Sequence, residues 1–179
     1  MPASNLNPPA RAPSSAASDP PRVATLTISD TRTAADDRGG PELRRLLETA
    51  GFHLAAHAIV PDGAESVRAA VAALCADPEI DAVVTTGGTG IAPRDQTYEA
   101  LDGLLERRLD GFGEAFRRLS WDDVGPRAIL SRALAGTVGG KIVVALPGSP
   151  RALALAVERI LAPLLPHAVA VANGRGDHR

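Results

Sequence analysis

At 179 residues the chain is long enough for one domain whose core needs neither disulfides nor a structural metal. A hydrophobic share of 45% and a charged share of 22% exclude low-complexity and fibrous classes and describe a globular protein. A net charge of −2, a pI near 6.1 and no basic cluster longer than two arginines leave no footprint for nucleic acid or an anionic membrane.

Residues 1–21, "MPASNLNPPARAPSSAASDPP", are dense in Pro, Ala and Ser and lack the apolar segment of a signal peptide. They are expected to form a disordered arm, and the protein is expected in the cytoplasm. "RVATLTISDT" predicts a first strand over Val23 to Ser29. "GGPELRRLLETAG" predicts a helix with Pro41 in its first turn and Gly51 at its end. "FHLAAHAIVPDG" predicts a second strand closed by Pro61-Asp62-Gly63; its alternation keeps His53 and His57 off a common helix face. "AESVRAAVAALCAD" spaces Val67, Ala70, Val71 and Leu74 as an amphipathic helix, and the lone Cys75 reads as a small buried thiol, with no disulfide or cysteine-zinc site open to it. "IDAVVTT" predicts a third strand. This β-α-β-α-β order implies parallel strands joined by right-handed crossovers.

The second half is less regular. "TYEALDGLLERRL" predicts a helix, and "GFGEAFRRLSWDDVG" a further helical stretch. "AGTVGGKIVVALPG" predicts two short strands around Gly139-Gly140, then a buried strand from Ile142 to Leu146. "SPRALALAVERILAPLLPHAV" predicts the closing helix, with Ser149 as N-cap and Pro150 in first position. No uninterrupted apolar run reaches the roughly 18 residues of a membrane span. The end of the chain, residues 171–179, reads as a flexible tail, which leaves 22–170 as the folded domain.

Polar clusters follow four of the predicted strands: Ser29-Asp30-Thr31, Pro61-Asp62-Gly63, Thr86-Gly87-Gly88-Thr89-Gly90 and Pro147-Gly148-Ser149. Ligands of open parallel sheets bind beyond the carboxyl ends of the strands, so all four are expected on one edge. Each has two readings. The glycine run is a tight turn, or a nest of amides for a phosphate with Thr89 adding a hydroxyl. It is neither a P-loop nor a dinucleotide fingerprint. Asp62 belongs to a turn tripeptide, and Asp95 to a helix cap; alternatively the two carboxylates hold Mg²⁺ against phosphate oxygens. Arg94 contacts a phosphate or forms an exposed salt bridge. Ser149 caps a helix or presents an anion site. Ser131-Arg132 binds an anionic substituent or lies in a solvated loop.

"TISDT", "IVPDG", "TTGGTGIAPRDQTYEAL", "GFGEAFRRLS", "LSRALAG" and "ALPGSPRAL" resemble, in order, the motifs of the MoaB/MogA family of molybdenum-cofactor biosynthesis proteins. The resemblance covers about residues 22–168, with "GFGEAFRRLS" and "WDDVG" closer to the MoaB branch. It implies a three-layer α/β/α fold with a mostly parallel sheet, and a homo-oligomer, usually a trimer and sometimes a hexamer, with other molybdenum-cofactor proteins as further partners. The implied activity is adenylylation of molybdopterin by Mg-ATP with release of pyrophosphate. By motif, Asp62 and Asp95 resemble the catalytic, Mg²⁺-binding carboxylates, and Gly87, Gly88, Thr89 and Gly90 the nucleotide phosphate loop. Ser29, Asp30, Ser131, Arg132, Pro147, Gly148 and Ser149 would line the molybdopterin and nucleotide pocket. Some MoaB-type members lack the acidic residue of the "PD" motif; here Asp62 is present, which favours the enzyme over a non-catalytic molybdopterin-binding or scaffold protein.

Overall fold

The computed structural model describes residues 19–30 and 39–175. Thr31, most of the expected arm and the last four residues lie outside that range. Six strands form one mixed sheet in the order β2-β1-β3-β6-β5-β4. They are β1 (Arg22–Ile28), β2 (His53–Val60), β3 (Ala82–Thr86), β4 (Arg107–Arg108), β5 (Leu134–Val138) and β6 (Lys141–Leu146). β2, β1, β3 and β6 run parallel, as the alternation of strands and helices requires. β5 turns back antiparallel to β6 through Gly139 and Gly140, at φ 56° and 76°, the paired left-handed conformations of a two-residue hairpin. The short strand expected after Gly140 and the buried strand Ile142 to Leu146 are therefore one element.

Side chains alternate across the sheet and so build two cores. Val23, Ala82, Val84, Ile142, Val144 and Leu146 face one side, under α1 (Gly39–Thr49), α4 (Asp110–Val124) and the closing helix. Ala24, Leu26, Ile28, Val83, Val143 and Ala145 face the other, under α2 (Ala64–Ala76) and α3 (Thr97–Asp102). This is the three-layer α/β/α arrangement expected.

Two boundaries differ from the sequence reading. The helix expected over "TYEALDGLLERRL" stops at Asp102, where Gly103 caps it, and Arg107-Arg108 become an edge strand on β5. Gly136 makes room there, since a Cβ on it would sit 2.3 Å from the Arg107 carbonyl oxygen. The closing helix runs Pro150–Ala172, and Asn173, Gly174 and Arg175 still donate backbone amides to it, so ordered structure enters the expected tail. It comprises α5 (Pro150–Ala156), a π turn (Val157–Leu161) and α6 (Ala162–Ala172). Pro163 lacks an amide and its ring would press on the preceding turn; the helix widens there, with the Ala162 amide donating to Val157 five residues back. By length and composition this helix could cross a bilayer, which a run-length criterion misses. Its Leu153, Ala156, Val157, Leu161 and Leu165 instead pack into the core, and Glu158 and Arg159 are exposed.

Candidate active site

The strand register puts the polar clusters at one level. Thr27 pairs with Thr86, Thr86 with Leu146, and Ile28 with Val60, so all four parallel strands end together. Beyond them opens a polar cleft of about 460 Å³ lined by residues of every predicted cluster, among them Ser29, Asp30, Asp62, Gly87, Gly88 and Ser149, and by Arg94 and Asp95.

The cleft is framed by main chain. The Ser29 amide donates to the Val60 carbonyl at 3.0 Å, and the Gly87 amide to that of Leu146 at 3.0 Å. Gly87, at φ 108°, lies so close to β1 that a Cβ would be 2.2 Å from the Ile28 carbonyl oxygen. At Gly88, φ 63°, a Cβ would lie 2.1 Å from the Thr97 hydroxyl and 3.0 Å from both Asp62 oxygens. The missing side chains thus let the loop close on the protein itself, and this close approach exposes its backbone to the cleft.

The carboxylates are tied together. Asp30 accepts a hydrogen bond from the Asp62 amide at 2.8 Å, and Asp62 accepts one from the Gln96 amide at 3.2 Å. Gln96 in turn accepts from the Ala64 amide at 3.0 Å. Burial, followed by the charges of Asp30 and Asp95, pushes the Asp62 carboxyl above the ordinary aspartate range, against the opposing Gln96 hydrogen bond. Asp95 caps no helix: its Oδ2 accepts from the Ala92 amide at 2.9 Å within its own loop, and Gln96 stands at the N-cap. Arg94 is exposed on the cleft wall and makes no hydrogen bond or ion pair among the described residues, so the salt-bridge reading is not the one realised. Ser149 does cap α5, accepting from the Ala152 amide at 3.3 Å, and still borders the cleft.

A second, more apolar cleft of about 640 Å³ lies across the glycine loop. Thr89, Gly90, Ser131, Pro147, Phe116 and Leu155 contribute to its lining. Gly87, Gly88, Asp95, Gly148 and Ser149 border both clefts and form the shared wall. At its rim Arg151 pairs with Asp123 at 2.6 Å. Thr89, read as an anion donor, is buried and belongs to this side. Of the expected residues only Arg132 borders neither cleft. Its guanidinium donates to the Gly90 and Asp95 carbonyls, each at 2.8 Å, and pairs with Glu99.

Sequence reasoning did not single out Thr27, Gln96, Thr97, Asp123, Arg127 or Arg151. Gln96 had a local signal, being a polar residue between Asp95 and the start of a helix. Arg151 and Asp123 had none, because only packing of α4 on α5 joins positions 28 residues apart.

Residues 24–167 match the model of a family described as a probable molybdopterin binding domain. A molybdenum cofactor biosynthesis protein B from Bacillus cereus is 45% identical over 147 residues, which span 82% of this chain and 87% of the relative. That of Bacillus subtilis is 45% identical over 149 residues, 83% and 88% of the two chains. The crystal structure of a molybdenum cofactor biosynthesis protein B superposes with a TM-score of 0.84 at 42% identity, covering 87% of this chain and 97% of that one. The chain belongs to the MoaB/MogA family of molybdenum-cofactor biosynthesis proteins.

Proposed function

We propose that this protein acts in cytoplasmic molybdenum-cofactor biosynthesis by transferring the adenylyl group of Mg-ATP to the phosphate of molybdopterin, releasing pyrophosphate. The observation that carries this reading is the pair of clefts, one polar and one apolar, that meet at a wall made of the glycine loop, Asp95 and Ser149. Two substrates lodged in them meet at that wall, as group transfer between them requires.

Asp62 and Asp95 supply hard oxygen donors, and a cation would offset the burial, and after it the neighbouring charges of Asp30 and Asp95, that raise the Asp62 carboxyl. No group of three acidic, histidine or cysteine side chains forms a metal cage among the described residues. That fits Mg²⁺, which keeps waters and takes substrate phosphate oxygens in place of a full protein cage. Bound between Asp62 and Asp95, it would neutralise phosphate charge during an in-line displacement. The chain's own part is positioning. Arg94 offers an exposed guanidinium to phosphate, the loop at Gly87 and Gly88 offers close backbone approach, and Ser149 completes the shared wall beside it. A molybdopterin phosphate oxygen forms the new bond to the α-phosphorus of ATP as the bond from that phosphorus to the bridging oxygen breaks, and pyrophosphate leaves with the electron pair. The attacking phosphate is ionised at neutral pH, so no general base is needed.

Incubation with molybdopterin, Mg²⁺ and ATP, followed by mass analysis of the pterin, tests the proposal. Adenylyl-molybdopterin is expected, and Asp62→Ala or Asp95→Ala should each lower turnover by about 100-fold or more. Tight molybdopterin binding without that product would establish a non-catalytic binding or scaffold role instead. Exposed Trp121 and Ile129, at 50% and 64%, line one hollow with Tyr98, a partly apolar surface that a homo-oligomer, trimer or hexamer, would cover. Sedimentation velocity reads that state directly.

A further inference from the structure

Asp95 sits on a loop whose conformation is imposed from its back. Arg132 and Gln96 border a depression on the outer side of this loop, with Ile91, Pro93, Asp95 and Glu99, and neither lines the two clefts that meet at the glycine loop; Arg132 also lines a hollow beside Tyr98, Arg117 and Trp121. The Arg132 side chain holds the two ends of the excursion, donating from Nε to the Gly90 carbonyl and from its second terminal nitrogen to the Asp95 carbonyl, each at 2.8 Å. Its backbone amide donates to the Thr89 carbonyl at 3.1 Å. The remaining guanidinium nitrogen pairs with Glu99, and the plane lies over the Tyr98 ring at 5.1 Å. With its donors taken up in this way, Arg132 is not disposed as a substrate anchor.

Gln96 fixes the other coordinate. Its amide holds the Asp62 carboxylate at 3.2 Å, while its side-chain carbonyl holds the first amide of α2, that of Ala64, at 3.0 Å. These two bonds run in opposite directions between the Asp95 loop and the Asp62 turn, so neither segment shifts alone. The Asp95 side chain is in turn locked to its loop through Ala92.

We infer that Gln96 and Arg132 are positioning residues that set the separation of Asp62 and Asp95 without touching the ligand. The inference rests on the reading of that pair as a cation site. Mg²⁺ and Mn²⁺ demand tight octahedral geometry, so an error of a fraction of an ångström in that separation weakens binding. Only a planar fork reaches both carbonyls and Glu99 together, and a lysine ammonium at position 132 cannot.

The test uses the full chain and Mn²⁺ alone, with free Mn²⁺ read by electron paramagnetic resonance, beside thermal unfolding of each variant. Arg132→Lys and Gln96→Leu are each expected to weaken Mn²⁺ binding by about tenfold or more, the scale seen when groups behind metal ligands are removed. Gln96→Glu keeps an acceptor for the Ala64 amide and is expected to restore much of the affinity lost in Gln96→Leu. Gln96 is exposed, so the Leu variant should unfold within a few degrees of wild type; if Arg132→Lys fails to fold, the Gln96 pair decides alone. Wild-type Mn²⁺ affinity in Gln96→Leu, equal weakening in Gln96→Leu and Gln96→Glu, or no Mn²⁺ binding by the wild type would each overturn the inference. Adenylyl-molybdopterin formation is scored separately. Its absence beside the expected Mn²⁺ pattern defeats the catalytic reading alone, and its presence beside unchanged Mn²⁺ binding in the variants defeats the positioning inference alone.

Discussion

Replacing Gly88 by alanine tests whether the glycine loop is shaped by the protein's own close contacts. At φ 63° the backbone is left-handed, where an alanine costs about 1 kcal/mol. The new methyl would also lie 2.1 Å from the Thr97 hydroxyl, which has to move. Thr97 is fully buried in a packed core, so that displacement costs about 1–3 kcal/mol. Together the substitution should remove about 2–4 kcal/mol, lowering the unfolding temperature by roughly 4–16 °C for a chain of this size. Urea denaturation should show a lower midpoint with an unchanged slope. The Thr97 hydroxyl has no hydrogen-bond partner, so Thr97→Ala removes the obstacle without breaking a bond. In that background Gly88→Ala should cost less, about 1 kcal/mol for the backbone and a smaller amount for the Asp62 carboxylate it still meets at 3.0 Å. A Gly88→Ala protein within about 0.5 kcal/mol of wild type, or one losing equally in both backgrounds, would refute the reasoning.

Arg94→Ala should leave stability within about 0.5 kcal/mol of wild type, because exposed Arg94 loses no hydrogen bond or ion pair among the described residues and only a weak attraction to Asp62, and should raise the KM for ATP by about tenfold in steady-state assays. Ser149→Ala removes the cap on α5 and should cost about 1 kcal/mol in a urea titration. Ser149→Asp should keep the cap yet suppress turnover by placing a carboxylate against the phosphates. Burial pushes the Cys75 thiol up to about 11, so at pH 8 it is protonated as well as buried; a chromogenic disulfide reagent should label it only in denaturant, and rapid labelling of the folded protein would contradict its place in the core.

Much of this was legible locally. Short apolar runs closed by turn residues marked β1, β2, β3 and β6, and Pro150 after Ser149 marked the start of the last helix, because apolar patterning and helix capping depend on neighbours in sequence. The convergence of Ser29, Asp62, the glycine loop and Ser149 on one edge also followed, since parallel strands in register must end together. Two kinds of information were not local. "LLERRL" carries helix formers, yet Arg107-Arg108 pair with β5 because Gly136, far along the chain, leaves a bare edge for them. Arg132 reads as a free cation beside a serine, but its carbonyl partners lie 42 and 37 residues away and become neighbours only when β5 is folded. The sequence by itself determined the layered fold and which strand ends border the cleft, because apolar patterning and capping are properties of adjacent residues. Only the tertiary structure decided that Arg94 stands on the cleft wall without a hydrogen bond or ion pair among the described residues while Arg132 is engaged by the loop, because hydrogen-bond partners brought together by packing leave no mark at either position.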